Sequence, residues 1–423
     1  VSIQNEIDQS TAVDNPGLSK VLVCASVIIF GVGQSLLFVI LGPVALEIGL
    51  TPVQFGAVFS ASNIFLLVAG PYWGKRSDVI GRKPVLLVGL AGTFIGTLLL
   101  AAVLQIGLWK IVTIPVLMAL LFFARSVYSV LATSIYPASG AYMADITTRQ
   151  DRAKGMALIG ASNSMGSILG PFLGAVLVMF SVLLPLYVAA GAALIGATVL
   201  YLKLQEPKRE KSATQVNTLK PNDKRIYPFM IVWAVFFLVF TTLQLSTPFY
   251  IGERFGIEDP KELTRWTGFS LGTLAAVNII VQIGVLQIVK IHPRNMLRIC
   301  LPMFAISLLV IGFSQSFWML LLGYGILGLG FSFANPGING SASLSVNPEE
   351  QGVASGLIAA STTAGVVLGP ILGTTLYEIQ LNLPMIIGSI VAAITAIYAF
   401  TIKVPDPQPY VPSGSSDPEP EKA

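Results

Sequence analysis

Apolar residues run for about 18 to 25 positions at a time along this chain, with short polar connections between the runs,. Each run can cross a hydrocarbon core of about 30 Å as a helix. The pattern predicts spans at 19–42, 53–74, 84–107, 113–143, 155–180, 183–204, 227–250, 265–289, 296–314, 316–340, 353–378 and 382–403. Twelve helices follow, in an all-α membrane protein. Between the sixth and seventh runs lies "QEPKREKSATQVNTLKPNDKR", residues 205–225, too charged to bury. The predicted units are therefore an N-terminal segment 1–18, a six-helix bundle 19–204, a linker 205–226, a second six-helix bundle 227–403 and a Pro-, Ser- and acid-rich tail 404–423. That tail is too polar to offset its ordering entropy and reads as disordered.

One stretch is written twice. "LIGASNSMGSILGPFLG" (158–174) returns 199 positions later as "LIAASTTAGVVLGPILG" (357–373), with ten of seventeen positions identical. It falls on the fifth run of each half, so the halves read as pseudo-symmetric copies, related by an axis along the membrane normal. Within each copy Gly166, Gly170 and Gly174, or Gly365, Gly369 and Gly373, share one helical face that a neighbouring backbone can approach. Pro171 and Pro370 each remove a helix hydrogen bond and favour a bend, which suits a moving interface as well as a packing groove.

Composition agrees with this class: 54% of the 423 residues are hydrophobic and 11% charged, against about 25% charged in soluble domains. Mean hydropathy is +0.77. Basic residues are retained on the cytoplasmic side during insertion, and they gather in the even-numbered connections (Lys75, Arg76, Arg82, Lys83, Arg149, Arg152, Lys154, the 203–225 cluster, Lys290, Arg294, Arg298). Both termini are thus expected in the cytoplasm, in a multi-pass protein of the inner or plasma membrane. Residues 1–18 lack a basic n-region and cleavage site, so no signal peptide is expected. The net charge of +4 follows the loop bias and suggests no nucleic acid. Cys24 and Cys300 have no metal-ligand spacing, and His292 is expected in a solvated loop,. No cofactor is expected. Without a phosphate-binding Gly-rich loop or a nucleophile–base set, neither an ATP-driven pump nor an enzyme is indicated.

Buried polarity marks the candidate chemistry. Arg125 stands well inside an apolar run, where an arginine costs several kcal/mol and faces a cavity or a partner. Direct pairing with an anionic substrate, tuning of a proton-carrying acid, and a structural bond to carbonyls and Tyr128 all remain open. Gln34, Asn63, Asn163, Gln244, Asn278, Gln282, Asn335 and Asn339 lie in other spans and sketch a pocket, since an amide in hydrocarbon seeks a partner or a cavity,. Tyr128, Tyr136, Phe249 and Tyr250 could line it, with membrane-interface belts an equal reading for the last two. No acid lies near the middle of a span; Glu378 ends the eleventh. One cation among amides favours neutral or anionic solutes.

At this point the chain resembles the major facilitator superfamily, and within it the twelve-helix drug:proton antiporters. "GKRSDVIGRKP" matches the family's loop motif through Gly74, Asp78, Gly81, Arg82 and Lys83, departing at Val79. "LLFFARSVYSV" resembles the antiporters' Arg-containing motif, with Ser129 for the expected glycine, and the doubled Gly-Pro helix is similar to their fifth-helix motif. The resemblance implies a charge cluster of Asp78, Arg82 and Asp145, with Asp78 also facing the start of the eleventh helix as a latch between halves. In the second half "QIVKIHPRNMLR" puts Lys290 near the place of Asp78, so the second latch reads as lost. The implied function is a monomeric, proton-coupled exporter of a small organic compound working by alternating access. Coupling would use Asp78 and Asp145, Glu378, or a substrate-borne proton. An organic-anion importer or facilitator using Arg125, a lipid-moving clamp, and a transporter-like sensor or scaffold stay open beside it.

Overall fold

Proline and glycine set the helix boundaries in the computed structural model, which describes residues 15–147, 151–207, 219–289, 291–347 and 350–405. Proline has no N–H to waste and a fixed φ, so it suits the first helical turn. Helix α1 (Pro16–Ile48) opens this way behind the Asn15 cap and closes on Gly49 at φ +92°. Helix α2 (Pro52–Ile80) opens with a reciprocal capping box between Thr51 and Gln54 and stops at Gly81, φ +117°. Helix α3 (Arg82–Leu108) starts at once. The predicted fourth span is two helices, α4 (Ile114–Ala132) and α5 (Ile135–Asp145). Pro137 cannot donate to the Thr133 carbonyl four residues back, and the chain tightens so that Tyr136 N–H reaches that carbonyl instead,. Helices α6 (Arg152–Leu177) and α7 (Leu184–Lys203) complete the first half.

The second half runs through α8 (Tyr227–Phe255), α9 (Pro260–Ile279), α10 (Pro293–Gly312), α11 (Phe317–Leu344), α12 (Gln351–Ile379) and α13 (Leu383–Thr401). Among the described residues eleven rods, α4 and α5 counting as one, are long and apolar enough to cross a membrane. The eighth predicted span is the exception. Its α-helix ends at Ile279 and passes into a π-helical turn, Ile280–Val285, then one α turn to Ile288. Such wide turns occur where a helix yields to function or packing.

Each half has its own apolar core. One gathers residues from α1 to α7 with Leu245 and Phe249; the other gathers α8 to α13 with Val39. The repeated glycines dock the fifth rod on the first within each half. A Cβ at Gly166 would lie 2.8 Å from Gly31 Cα, and one at Gly170 would lie 1.9 Å from Ser35 Oγ. In the copy, a Cβ at Gly365 would lie 2.5 Å from Leu238 N, and one at Gly369 would lie 1.9 Å from Thr241 Oγ1. Ser35 Oγ donates to the Gly166 carbonyl at 3.2 Å, and Thr241 Oγ1 to the Gly365 carbonyl at 2.9 Å. Gly174 faces Leu36 and Val39, while Gly373 faces Thr242. Both halves thus use one joint, a hydroxyl on the first rod bonded to a glycine carbonyl on the fifth.

Candidate functional site: a cleft closed at one end and a buried arginine

Three glycines close the halves upon each other at the end away from the basic connections. Gly42 of α1 meets Pro248 of α8; Gly56 of α2 meets the Pro370 carbonyl and Thr374 of α12; Gly268 of α9 meets the Pro171 carbonyl and Ala175 of α6. At each, an added Cβ would come within 2.0–2.7 Å of the facing half. Gly42 and Pro248 occupy equivalent places in the two repeats, so their contact marks the pseudo-twofold axis.

Toward the basic end both seams part. Gly56, Asn63 and Gly70 lie at seven-residue steps on one face of α2. The first two touch α12, whereas a Cβ at Gly70 would meet nothing within 4 Å. Gly356 lies fourteen residues before Pro370 on the same face of α12 and is equally free. On the other seam Gly160, eleven residues before Pro171, repeats the pattern. The two halves enclose a cleft open at the end carrying the basic loops.

Pro370 shapes the α2–α12 seam chemically. It has no N–H to give to the Val366 carbonyl, and Asn63 Nδ2 fills that place from the other half at 3.0 Å,. One turn along, Ile371 N–H donates to Ser60 Oγ at 3.0 Å. At the rim, Glu378 Oε1 accepts the Val53 N–H at 3.0 Å and so caps the first turn of α2,. Of the amides, Asn63 is thus an inter-half bridge.

Arg125 of α4 lies behind that bridge. Its side chain is 2% exposed. Nη2 donates to Asn63 Oδ1 at 3.4 Å, and the guanidinium lies 4.7 Å from the Phe59 ring and 5.2 Å from the Tyr128 ring. Val366 only accepts and Arg125 only donates, which settles the orientation of the Asn63 amide between them. Nε and Nη1 of Arg125 have no acceptor among the described residues, nor has the buried Tyr128 hydroxyl. Among the described residues no backbone carbonyl and no carboxylate bonds this arginine.

The other predicted residues fall in separate places. Tyr136 donates to Asn163 across α5 and α6, and Phe30 packs edge-on against Tyr136. Asn339 Nδ2 donates to Asn335 Oδ1 at 2.6 Å within α11. Gln34, Gln244 and Gln282 are half-buried, and Asn278 is buried with Oδ1 unpartnered. Phe249 and Tyr250 are interior, not an interface belt: Tyr250 donates to the Ile311 carbonyl at 2.8 Å. His292, expected in solvent, is half-buried, and its Nδ1 accepts the Arg294 N–H at the start of α10.

At the basic end each half gathers carboxylates around one arginine. Arg82 holds Asp78 at 2.5 Å and Asp145 at 2.9 Å and also donates to Ser77 Oγ. Glu206, which sequence reading passed over, receives the backbone N–H groups of Arg82 and Lys83 at 2.6 and 2.7 Å. Gly81 is needed twice here: its φ is positive, and a Cβ would lie 3.0 Å from Glu206. Gly74 has only Pro137 nearby, at 3.8 Å. The hydrogen bonds described between α2 and α12 lie at residues 53–63 and 366–378. In the second half Lys290 lies outside the described residues. A different cluster stands there: Arg225 bonds Asp223 at 2.9 Å and Glu350 at 2.8 Å, tying the approach to α8 to the start of α12. The Arg225 guanidinium lowers both carboxyls below their usual range. A cue was present in the repeat, where Glu350 corresponds to Asp151.

Comparisons place this architecture. The chain is 27% identical over 347 residues to "Multidrug resistance protein 2" of Bacillus subtilis, covering 79% of this chain and 83% of that one. It is 26% identical over 340 residues to the class B tetracycline resistance protein of Escherichia coli, covering 77% and 79%. Among solved structures it is similar to a bacterial homolog of the human lysosomal transporter Spinster, in an inward-facing and unoccupied conformation, with a TM-score of 0.69 at 12% identity, covering 92% and 97% of the two chains. A nucleoside transporter gives 0.70 at 15% identity, covering 91% and 99%. The family model matches twice, over residues 23–294 and 283–422. With two helical bundles that each dock a Gly-Pro rod on their first helix, and with matches over residues 23–294 and 283–422, the chain belongs to the Major Facilitator Superfamily and is a secondary transporter of the cell membrane.

Proposed function

We propose that the protein exports a small organic compound, neutral or anionic, in exchange for protons, as a monomer whose basic end and both termini face the cytoplasm. The likeness to multidrug, tetracycline and quinolone resistance proteins over about four fifths of the chain carries this reading. Positive loops on one side support the orientation. With that orientation the cleft opens to the cytoplasm, where an exporter loads. Release requires the Gly42, Gly56 and Gly268 contacts to part, with the Asn63–Val366 and Glu378–Val53 bonds, while the basic end closes and brings Asp78 toward the start of α12. Such a two-state equilibrium is set by a few kcal/mol, so a handful of contacts decides it.

No span carries a central carboxylate, which confines proton exchange to Asp78 and Asp145 at one end, Glu378 at the other, or the solute itself. The buried Arg125, free of any acidic partner among the described residues, favours a second reading as an organic-anion importer or facilitator. Purified protein in liposomes with an internal pH dye separates the two. Solute-dependent proton efflux or uptake, lost in Asp78→Asn, supports exchange and its sign gives direction; solute movement with no proton flux leaves the facilitator.

A further inference from the structure

We propose that the two halves carry a matched pair of headgroup sites for anionic phospholipid, on the membrane-facing surface at the end with the basic loops. Each stands where the third rod of a half packs on its last, α3 on α7 and α10 on α13. In the first half Lys83 Nζ lies 5.6 Å from the centre of the Tyr201 ring, and Lys203 ends the same helix. In the second the Arg298 guanidinium lies 5.2 Å from the Phe400 ring and its Nη2 donates to the Phe400 carbonyl at 3.3 Å, with Lys403 just past the helix end. Each group is an aromatic ring flanked by two cations. Lys83 belongs to the first turn of α3 and Arg298 to the second turn of α10, so the same group is rebuilt from different positions. Duplication alone does not account for that.

Both rings close an apolar strip that is open to lipid. Ile195, Tyr201 and Leu202 are exposed on α7, and Ile394, Ile397 and Phe400 on α13. Acyl chains can lie along such a strip, with the ring at the interface and the cations at headgroup depth. Among the described residues no carboxylate pairs with the side chains of Lys83, Lys203, Arg298 or Lys403, whereas Arg82, Lys154 and Arg225 at the same end are all paired. A ring holds a cation in place without neutralising it, and a phosphodiester supplies the missing charge and acceptors together. The second site should be the stronger. Its guanidinium offers a planar fork to phosphate, while in the first site the Glu206 carboxylate already accepts the Lys83 backbone N–H at 2.7 Å. Basic loops attract anionic lipid by surface potential alone; a pinned ring-and-cation group adds saturation and position.

The test needs no transport and so stands apart from the export reading. Purified full-length protein in neutral detergent micelles is titrated with phosphatidylglycerol, with phosphatidylcholine and with inorganic phosphate, and thermal unfolding is followed at constant ionic strength and pH. A saturable rise in Tm with phosphatidylglycerol alone is expected. Arg298→Gln with Lys403→Gln should remove the larger part of it, and Lys83→Gln with Lys203→Gln the smaller. Lys220→Gln with Lys224→Gln takes the same charge from exposed residues of the linker and should leave the rise intact. Lys403 is exposed with no described bond, so Lys403→Gln alone tests the second site should its double variant not fold. No rise, or an equal rise with phosphatidylcholine or inorganic phosphate, overturns the proposal. An equal loss in the linker variant also overturns it, because diffuse charge would then account for the binding.

Discussion

The α2–α12 seam and the α6–α9 seam occupy equivalent places in the two repeats, yet one is polar and the other apolar. Both rest a glycine on a proline carbonyl, Gly56 on Pro370 and Gly268 on Pro171. Both prolines free a carbonyl one turn earlier, at Val366 and at Ser167. Only the first is taken by the facing helix, because α2 presents Ser60 and Asn63 where α9 presents Gly272 and Ala275. Duplication gave both halves the same joint, and divergence made one seam a hydrogen-bonded lock and left the other a sliding contact. The lock is also the seam connected to Arg125, which has no counterpart charge on the spans of the second half.

The largest effect should come from filling either glycine contact. In Gly56→Leu the new Cβ alone would reach within 2.0 Å of Thr374 Oγ1, and in Gly268→Leu within 2.7 Å of Ala175. Forced overpacking costs about 1–3 kcal/mol or more, enough to hold this end open. Transport should fall at least about tenfold, while a cysteine introduced at Gln54, in a background lacking Cys24 and Cys300, should gain reactivity toward an impermeant maleimide. Loss of folded protein, not of closure, is the expectation for Gly170→Leu and Gly369→Leu, since those glycines pack inside the halves. A Gly369→Leu variant that folded normally would mean the joint is not structural.

Next comes the difference between the seams themselves. Asn63→Leu strands the Val366 carbonyl and removes the one polar partner of Arg125 among the described residues, a loss of about 1–3 kcal/mol from the closed form,. Ala275→Ser at the equivalent, buried place removes no hydrogen bond and adds little volume. The Gln54 labelling rate should therefore rise in the first variant and change little in the second; equal responses would erase the distinction between lock and sliding contact.

Eleven of the twelve predicted spans, the two halves and the packing of the repeated glycines were legible because each is a matter of local pattern: run length, repeat register and small residues at four-residue spacing. The division of the fourth span was partly legible at Pro137, whereas nothing in "NIIVQIGVLQI" distinguishes a π turn from an α one. The role of Asn63 depends on which helix faces it, and the Val366 carbonyl becomes an acceptor only once Pro370 and α2 are placed together. Arg125 was singled out by its cost, but its pairing with the Asn63 amide, with no carboxylate partner among the described residues, is a property of the packed bundle. The Arg225 cluster was missed because it joins residues 125 positions apart across the linker that sequence reading took as solvated.

The smallest effect contrasts the two basic-end clusters. Asp223 and Glu350 have carboxyls held low by Arg225, so their contribution to the folded state is present at neutral pH and is lost only as pH falls through and below the ordinary carboxylate range,. Arg225→Gln removes that contribution at all pH values. Around pH 7 it should lower Tm slightly, because the groups are near the surface and screened by salt. The variant's deficit should narrow as wild type is acidified below the usual carboxylate range, and should shrink in high salt. The same substitution at Arg82 acts differently, since that side chain is nearly buried and joins the ends of α2 and α5; Arg82→Gln should alter transport as well as Tm. If Arg225→Gln changed transport as much as Arg82→Gln, the second cluster would be a latch in its own right, and the two halves would be more alike in function than their seams are in chemistry.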